Sequence, residues 1–295
     1  MKFGIEKHTL GYVLAASAAL FWSTLGILGK IAYALGADPI TLITLRATLA
    51  TLIVGIAMVL TNTKQFKIKG RDIPFFVAYG FFGVGLNYIG YFYALQFTTV
   101  ATAITLLYTY PALVVVTAFF MFHEPITGRK VAALALSFLG ILVTTFGLSS
   151  SNLSWDIRGL MFGLLAGAAN AAYTLAGKRS QVTYSALTVL FYSFLFGALT
   201  LCGFYLVELG PTLNISTQIM VLIVAIAFVP TLMGYGLYTL SLRFTEAGRS
   251  SMTSSIEPAA AIFLAYLFLG EIITPIQLLG TGLIILGAII LQVKK

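Results

Sequence analysis

Ten apolar stretches, each about as long as a membrane-spanning helix, follow one another along this chain with only short polar breaks between them. They fall near 10–32, 39–60, 73–96, 99–122, 128–147, 157–177, 183–207, 217–241, 247–269 and 275–293. A bilayer core needs roughly 20 apolar residues per helical crossing. The main breaks are Asp38-Pro39, 62–72, 123–129, 149–156 and Gly210-Pro211, and each is too short to fold alone. Lipid offers backbone amides no partner, so such runs must be helices or the strands of a closed barrel. Barrel strands alternate in polarity, and these runs do not. Composition agrees: of 295 residues 59% are hydrophobic and 9% charged, against about 25% charged in a soluble domain. Most of the surface must face lipid, and no length remains for a separate catalytic domain.

Basic residues give the orientation, because Lys and Arg are retained on the cytoplasmic side during insertion. With ten spans and both termini inside, the cytoplasmic set is Lys2, Lys7, Lys64, Lys67, Lys69, Arg71, Arg129, Lys130, Lys178, Arg179, Arg243, Arg249, Lys294 and Lys295. Lys30 and Arg158 face outward, and Arg46 lies inside the second span. The net charge of +8 therefore reports orientation, and no nucleic-acid partner is expected. One cysteine, Cys202, and two histidines, His8 and His123, leave no thiolate cluster, so neither a metal nor a cofactor is expected. The first apolar run follows Lys2 and Lys7 as a secretory signal would. It is long enough to span and no cleavage site follows, so it is read as a retained helix.

The second half repeats the first. A shift of 147 aligns Tyr91 with Tyr238, Leu95 with Leu242, Phe97-Thr98 with Phe244-Thr245, Pro111-Ala112 with Pro258-Ala259, Glu124 with Glu271, and Leu139-Gly140 with Leu286-Gly287. A shift of 148 pairs Gly11 with Gly159 and Gly29-Lys30 with Gly177-Lys178. A nearly constant shift marks internal duplication. The units are residues 1–148, with helices one to five, and 149–295, with helices six to ten. Five is an odd number, so the second unit must be inserted upside down. The expected fold is an all-α integral membrane protein of ten transmembrane helices in two inverted five-helix repeats, with N and C termini cytoplasmic. Inverted repeats are a recurring plan of secondary transporters, in which two similar halves expose a midplane site alternately. Duplication could also serve only to build a stable bundle of Gly- and Ala-rich helices.

Several residues carry a resemblance. Ala19-Leu20-Phe21-Trp22-Ser23 with Lys30 in span one, Arg46 in span two, Tyr93-Ala94-Leu95 in span three and Pro111 in span four are matched in the second half by Tyr238 through Leu242, Glu257-Pro258 and Leu269-Gly270-Glu271. Across nearly its whole length the chain resembles the EamA-type transporters of the drug/metabolite transporter superfamily. The resemblance implies a carrier, often an exporter, of amino acids, related metabolites, nucleobases or toxic organic compounds. One departure is His123-Glu124-Pro125, where the family more often has Gly before the Glu.

Glu257 is the acid placed in mid-span, directly before Pro258. A charge there is costly unless paired, hydrated or neutralised, which suits a proton-coupling site. Alternatively its carboxyl caps backbone groups freed by the proline. Its repeat partner Tyr110 offers a hydrogen bond without charge. Arg46 can attract an anionic group, or snorkel to the outer interface; Lys30 and Lys178 read as interfacial anchors. Asn87 and Asn170 should face the bundle interior, since amides are rarely set against lipid. Trp22, Tyr91, Tyr173 and Tyr235 complete the candidate substrate-binding set. Spans one to four and six to nine are expected to line the path, with five and ten peripheral. Pro111, Pro230 and Pro258 with Gly83, Gly85, Gly234 and Gly236 mark places where helices can bend.

The function expected is a secondary transporter, an exporter of small organic metabolites such as amino acids or related amphipathic compounds, working by alternating access with protons as candidate coupling ion. Its partners are then a small-molecule substrate, the lipid bilayer of a prokaryotic cytoplasmic membrane, and at most a second copy in a homodimer. A membrane enzyme acting on lipids would need nucleophiles, metal ligands or paired carboxylates at the surface, and a channel would need a ring of polar groups. Neither pattern is present, so no enzymatic activity is expected.

Overall fold

The computed structural model describes residues 7–98, 100–146, 156–210, 215–269 and 273–292. These residues form ten helical rods and no strand. They are α1 (Lys7–Ala34), α2 (Pro39–Thr61), α3 (Gly70–Phe97), α4 (Val100–Leu107 and Tyr110–Phe122), α5 (Gly128–Phe146), α6 (Ile157–Ser180), α7 (Ala186–Glu208), α8 (Thr217–Phe244), α9 (Ala247–Phe268) and α10 (Pro275–Gln292). Among the described residues eight are long and apolar enough to cross a membrane, and Pro275–Leu291 of α10 is a shorter apolar helix. Local chemistry sets their starts. Asp38, Asp156, Ser185 and Ser216 each accept a hydrogen bond from a backbone N–H in the first turn of α2, α6, α7 and α8, which satisfies donors that a helix start leaves free. Gly36 and Gly210 take positive φ just past α1 and α7, a geometry glycine adopts without strain. His123 takes the same left-handed position after α4, at φ 56, which explains why a glycine suits that site.

The inverted relation is visible in packing. A Cβ on Gly11 of α1 would sit 2.3 Å from Thr245 Cγ2 at the end of α8, and one on Gly159 of α6 would sit 2.1 Å from Thr98 Cγ2 at the end of α3. Both glycines and both threonines are repeat equivalents, so each half sends its first helix against the third of the other. Lys178, read as an interfacial anchor, instead donates to the carbonyls of Leu242 at 2.8 Å and Thr245 at 2.5 Å. It thereby satisfies acceptors left free at the end of α8. The side chain of Lys30 lies outside the described residues. The Tyr12 hydroxyl donates to the Leu291 carbonyl at 3.5 Å, so the start of α1 and the end of α10 share one face.

α5 and α10 pack on each other through small residues, the means by which helices approach closely where lipid gives no hydrophobic drive. A Cβ on Gly280 would lie 2.6 Å from the Gly140 carbonyl oxygen and 2.7 Å from the Thr144 amide nitrogen, whereas Gly282 has nothing within 4 Å. Backbone cannot yield as a side chain does, so Gly280→Ala should destabilise the protein by about 1–3 kcal/mol. Gly282→Ala on the same helix should be neutral or slightly stabilising. Thermal unfolding of both variants in detergent checks this, and equal melting temperatures would remove the close contact as a determinant of stability.

Two helices in each repeat depart from regular geometry at equivalent places. α3 contains a π-helical segment at Tyr79–Leu86 and α8 one at Ala227–Tyr235. In α8 the cause is legible: Pro230 has no N–H to donate, and the Thr231 hydroxyl donates to the Ile226 carbonyl at 2.8 Å. In α3 the segment carries Gly80, Gly83 and Gly85, and a Cβ on Gly80 would lie 2.6 Å from the Gly197 nitrogen of α7. α4 breaks at Tyr108-Thr109, before Tyr110-Pro111, and α9 passes through a 3₁₀ turn at Ser254–Ile256, before Glu257-Pro258. Pro111 and Pro258 have no N–H for the carbonyls four residues earlier, those of Leu107 and Ser254, so both breaks fall where the repeated proline requires.

Candidate functional site

These irregularities converge on one cavity between the halves. The space between the atoms there, open side included, is about 510 Å³. α1 contributes Trp22 and Leu25, α2 Arg46, α3 Asn87, Tyr88, Tyr91 and Phe92, and α4 Leu107; from the second half come Asn170 of α6, Pro230 and Tyr235 of α8, and Glu257 of α9. α5 and α10 contribute nothing, as expected for peripheral helices. α7 also contributes nothing, contrary to expectation, because it packs behind the π segment of α3, where Gly197 meets Gly80 and Val84.

Seven of the nine residues singled out from the sequence line this space: Trp22, Arg46, Asn87, Tyr91, Asn170, Tyr235 and Glu257. Tyr110 and Tyr173 do not. Tyr110 is buried at the α4–α9 crossing, hydrogen-bonded to the Ser254 hydroxyl and donating to the Ser251 carbonyl at 3.2 Å. Tyr173 pairs with the Thr239 hydroxyl at 2.8 Å and packs edge-on against Tyr235. Both hold wall helices together from behind.

The π segments deliver the amide and phenol at the centre. Asn87 follows the first segment and Tyr235 ends the second, positions related by the 148 shift. The Tyr235 hydroxyl donates to Asn87 Oδ1 at 3.5 Å, and Asn87 Nδ2 donates to the Ala166 carbonyl at 3.2 Å. Trp22 lies across Tyr235 and Tyr238 with ring centroids 5.0 Å away, and a Cβ on Gly234 would lie 2.5 Å from its indole nitrogen. Glycine at 234 therefore makes room for the indole.

The broken helices deliver the acid. The Tyr108 hydroxyl donates to Glu257 Oε2 at 2.7 Å and to the Ser254 carbonyl at 3.3 Å. The carboxylate is thus held across helices by α4, and no hydrogen bond from its own helix reaches it among the described residues. Tyr108, not the aligned Tyr110, is the partner of Glu257, because the break in α4 turns residue 108 toward α9. No sequence signal separated the two tyrosines. Arg46 does not snorkel. It is 2% exposed, its guanidinium lies 3.8 Å over the Tyr88 ring and 5.6 Å from that of Phe92, and it makes no ion pair among the described residues.

On the face shared by the termini, buried charges tie the halves together. Glu124, between α4 and α5, accepts from the Ala247 and Gly248 amides at 2.7 and 3.2 Å, capping the start of α9. Lys130 of α5 lies 2.8 Å from Glu246 and 3.7 Å from Glu124. Arg249 donates to Glu246 at 3.0 Å and to the Tyr12 hydroxyl at 2.6 Å.

Comparison with known proteins agrees with this architecture. The model of the EamA-like transporter family matches residues 9–146 and 157–293. An uncharacterized transporter of Clostridium kluyveri is 28% identical over 293 residues, covering 95% of this chain and 92% of its own. The threonine/homoserine exporter RhtA of Escherichia coli is 32% identical over 208 residues, covering 70% of this chain and 67% of its own. A crystal structure superposes with a TM-score of 0.81 at 18% identity over 95% of each chain, a likeness of fold. With ten helices among its described residues, in two inverted repeats around a cavity between them, this multi-pass membrane protein belongs to the EamA-like transporter family.

Proposed function

We propose that this transporter exports small organic metabolites such as amino acids by alternating access, using the cavity between the repeats as its substrate site and Glu257 as its proton-coupling group. The observation that carries the reading is the placement of Glu257 and Arg46 on the walls of one cavity at the junction of the halves. Arg46 comes from the first half and Glu257 from the second, so the two charged side chains flank the cavity from opposite halves. The similarity to a threonine/homoserine exporter supports amino acids as the first substrates to try. Helices with π segments and proline breaks bound the cavity, and such segments let a wall bend without losing every backbone hydrogen bond. The decisive assay is counterflow into proteoliposomes across a panel of amino acids, nucleobases and organic cations. Uptake of no amino acid would overturn the substrate class.

Export requires a defined orientation, and the distribution of basic residues supports termini in the cytoplasm. In a Cys202→Ser background, cysteines at Thr63 and Val182 should be shielded from an impermeant external reagent in whole cells, while one at Leu35 should react. All three positions are exposed on the protein. The opposite labelling pattern would reverse the orientation.

A further inference from the structure

Three residues on the first-half wall of the cavity carry buried polar atoms with no hydrogen-bond partner: Trp22 at Nε1, Arg46 at Nε and Nη1, and Tyr88 at its hydroxyl. They are 8%, 2% and 1% exposed. The other buried cations described are paired, Lys130 with two carboxylates and Lys178 with two carbonyls, and the unpaired buried atoms away from the cavity, on Tyr33, Tyr79, Ser137 and Gln181, are uncharged. Native proteins pair nearly all buried donors, so a cluster of unpaired ones on a cavity wall calls for a ligand.

We propose that these donors form a carboxylate subsite, so that the transported molecules carry a carboxylate group. The inference rests on reading the cavity as the transport site. Stacking of the guanidinium on Tyr88 occupies one face and leaves the N–H edge for an acceptor in its plane, the geometry in which arginine grips a carboxylate with two parallel bonds. The indole N–H is a donor only, and the phenol hydroxyl also can donate. A single cation faces the cavity among the lining residues, which balances one negative charge. A phosphate dianion would leave a charge uncompensated in a dry site. Glu257, on the second-half wall, accepts from Tyr108 and forms no ion pair with Arg46 among the described residues, so the N–H edge of the guanidinium is left for the ligand.

The test uses matched pairs with and without the carboxylate, threonine against threoninol and nicotinate against nicotinamide, in proteoliposome counterflow and in binding. Binding is read from Trp22 fluorescence in a Trp155→Phe background, since these are the two tryptophans of the chain. The carboxylate member of a pair should bind at least roughly 30-fold more tightly than its partner, the effect of leaving a buried charge unpaired. Arg46→Gln should abolish this preference, and Arg46→Lys, which keeps the charge but not the fork, should retain part of it. A merely structural arginine would weaken both members of a pair alike. Equal binding of both members to the native protein, or an undiminished preference in correctly folded Arg46→Gln protein, overturns the proposal. Carboxylate binding without amino-acid counterflow would instead overturn the substrate reading above and leave the subsite standing. No fluorescence response to any carboxylate would remove the subsite itself.

Discussion

Reconstituted Glu257→Gln protein is expected to lose proton-driven accumulation of substrate while keeping substrate exchange. Under an imposed difference of one pH unit, one-to-one coupling sustains an accumulation of at most about tenfold. The variant should fall to equilibration, because glutamine cannot gain and lose a proton. Exchange need not complete a protonation cycle, so it should persist. The structure sharpens the contrast with a helix-capping role. Glu257 is held by the Tyr108 hydroxyl at 2.7 Å, and a glutamine oxygen can accept the same bond, so the variant preserves packing at the α4–α9 crossing and removes only the titratable proton. Tyr108 lies on the other half, which gives the protonation state of Glu257 a direct hold on the relation between repeats. If Glu257→Gln protein still concentrates substrate down an imposed pH difference, the coupling group lies elsewhere.

Long apolar runs can only be helices in lipid, which made the ten rods and their pairing into halves legible in the sequence. The shift of 148 likewise pairs Gly11 with Gly159, which play one role twice. Much of the cavity was legible for a second reason: amides and charges in mid-span have nowhere to go but inward, which located Asn87, Asn170, Arg46 and Glu257. Aromatic residues carried less information. Tyr88 and Phe92 enter the wall while Tyr110 and Tyr173 stand behind it, because the π segment of α3 and the break in α4 rotate side chains away from the regular 3.6-residue period. Periodicity has no term for such a rotation. Arg46 shows another limit: its stem is long enough to snorkel, but the Tyr88 ring at 3.8 Å gives the guanidinium a buried face to rest on, a contact set by local twist. The charged tie at the terminus-bearing face was hidden as well, since the pair Glu124 and Lys130 and the pair Glu246 and Arg249 come from opposite halves of the sequence.

That tie yields the second large expected effect. Lys130 is 2% exposed and its ammonium stands between Glu246 and Glu124, so Lys130→Met leaves two carboxylates facing each other without their shared cation. Removing one partner of a buried ion pair costs roughly 3–5 kcal/mol, and the lower end applies because Arg249 still contacts Glu246 at 3.0 Å. The melting temperature in detergent should drop by several degrees. Adding Glu246→Gln to Lys130→Met should recover part of the loss, since the uncompensated charge is then gone. The pH dependence has a definite sign. Burial pushes the Glu246 carboxyl up, but hydrogen bonds and charge from Lys130 and then Arg249 outweigh it and hold the group below its usual range. A group with a lowered folded value stabilises the protein above the ordinary carboxylate range and loses that contribution as pH falls through the folded value. Native protein should therefore weaken below about pH 4.5, and Lys130→Met should show a shallower acid decline. The repeat equivalents of Lys130, Glu246 and Arg249 are Gln277, Thr99 and Thr102, all uncharged, so these three charges are not repeated in the other half. A tie that closes the terminus-bearing face predicts that Lys130→Met protein opens that face more than the native chain, read as increased labelling of a cysteine at Ser251, which is buried. Unchanged labelling together with an unchanged melting temperature would show that the tie neither closes this face nor stabilises it.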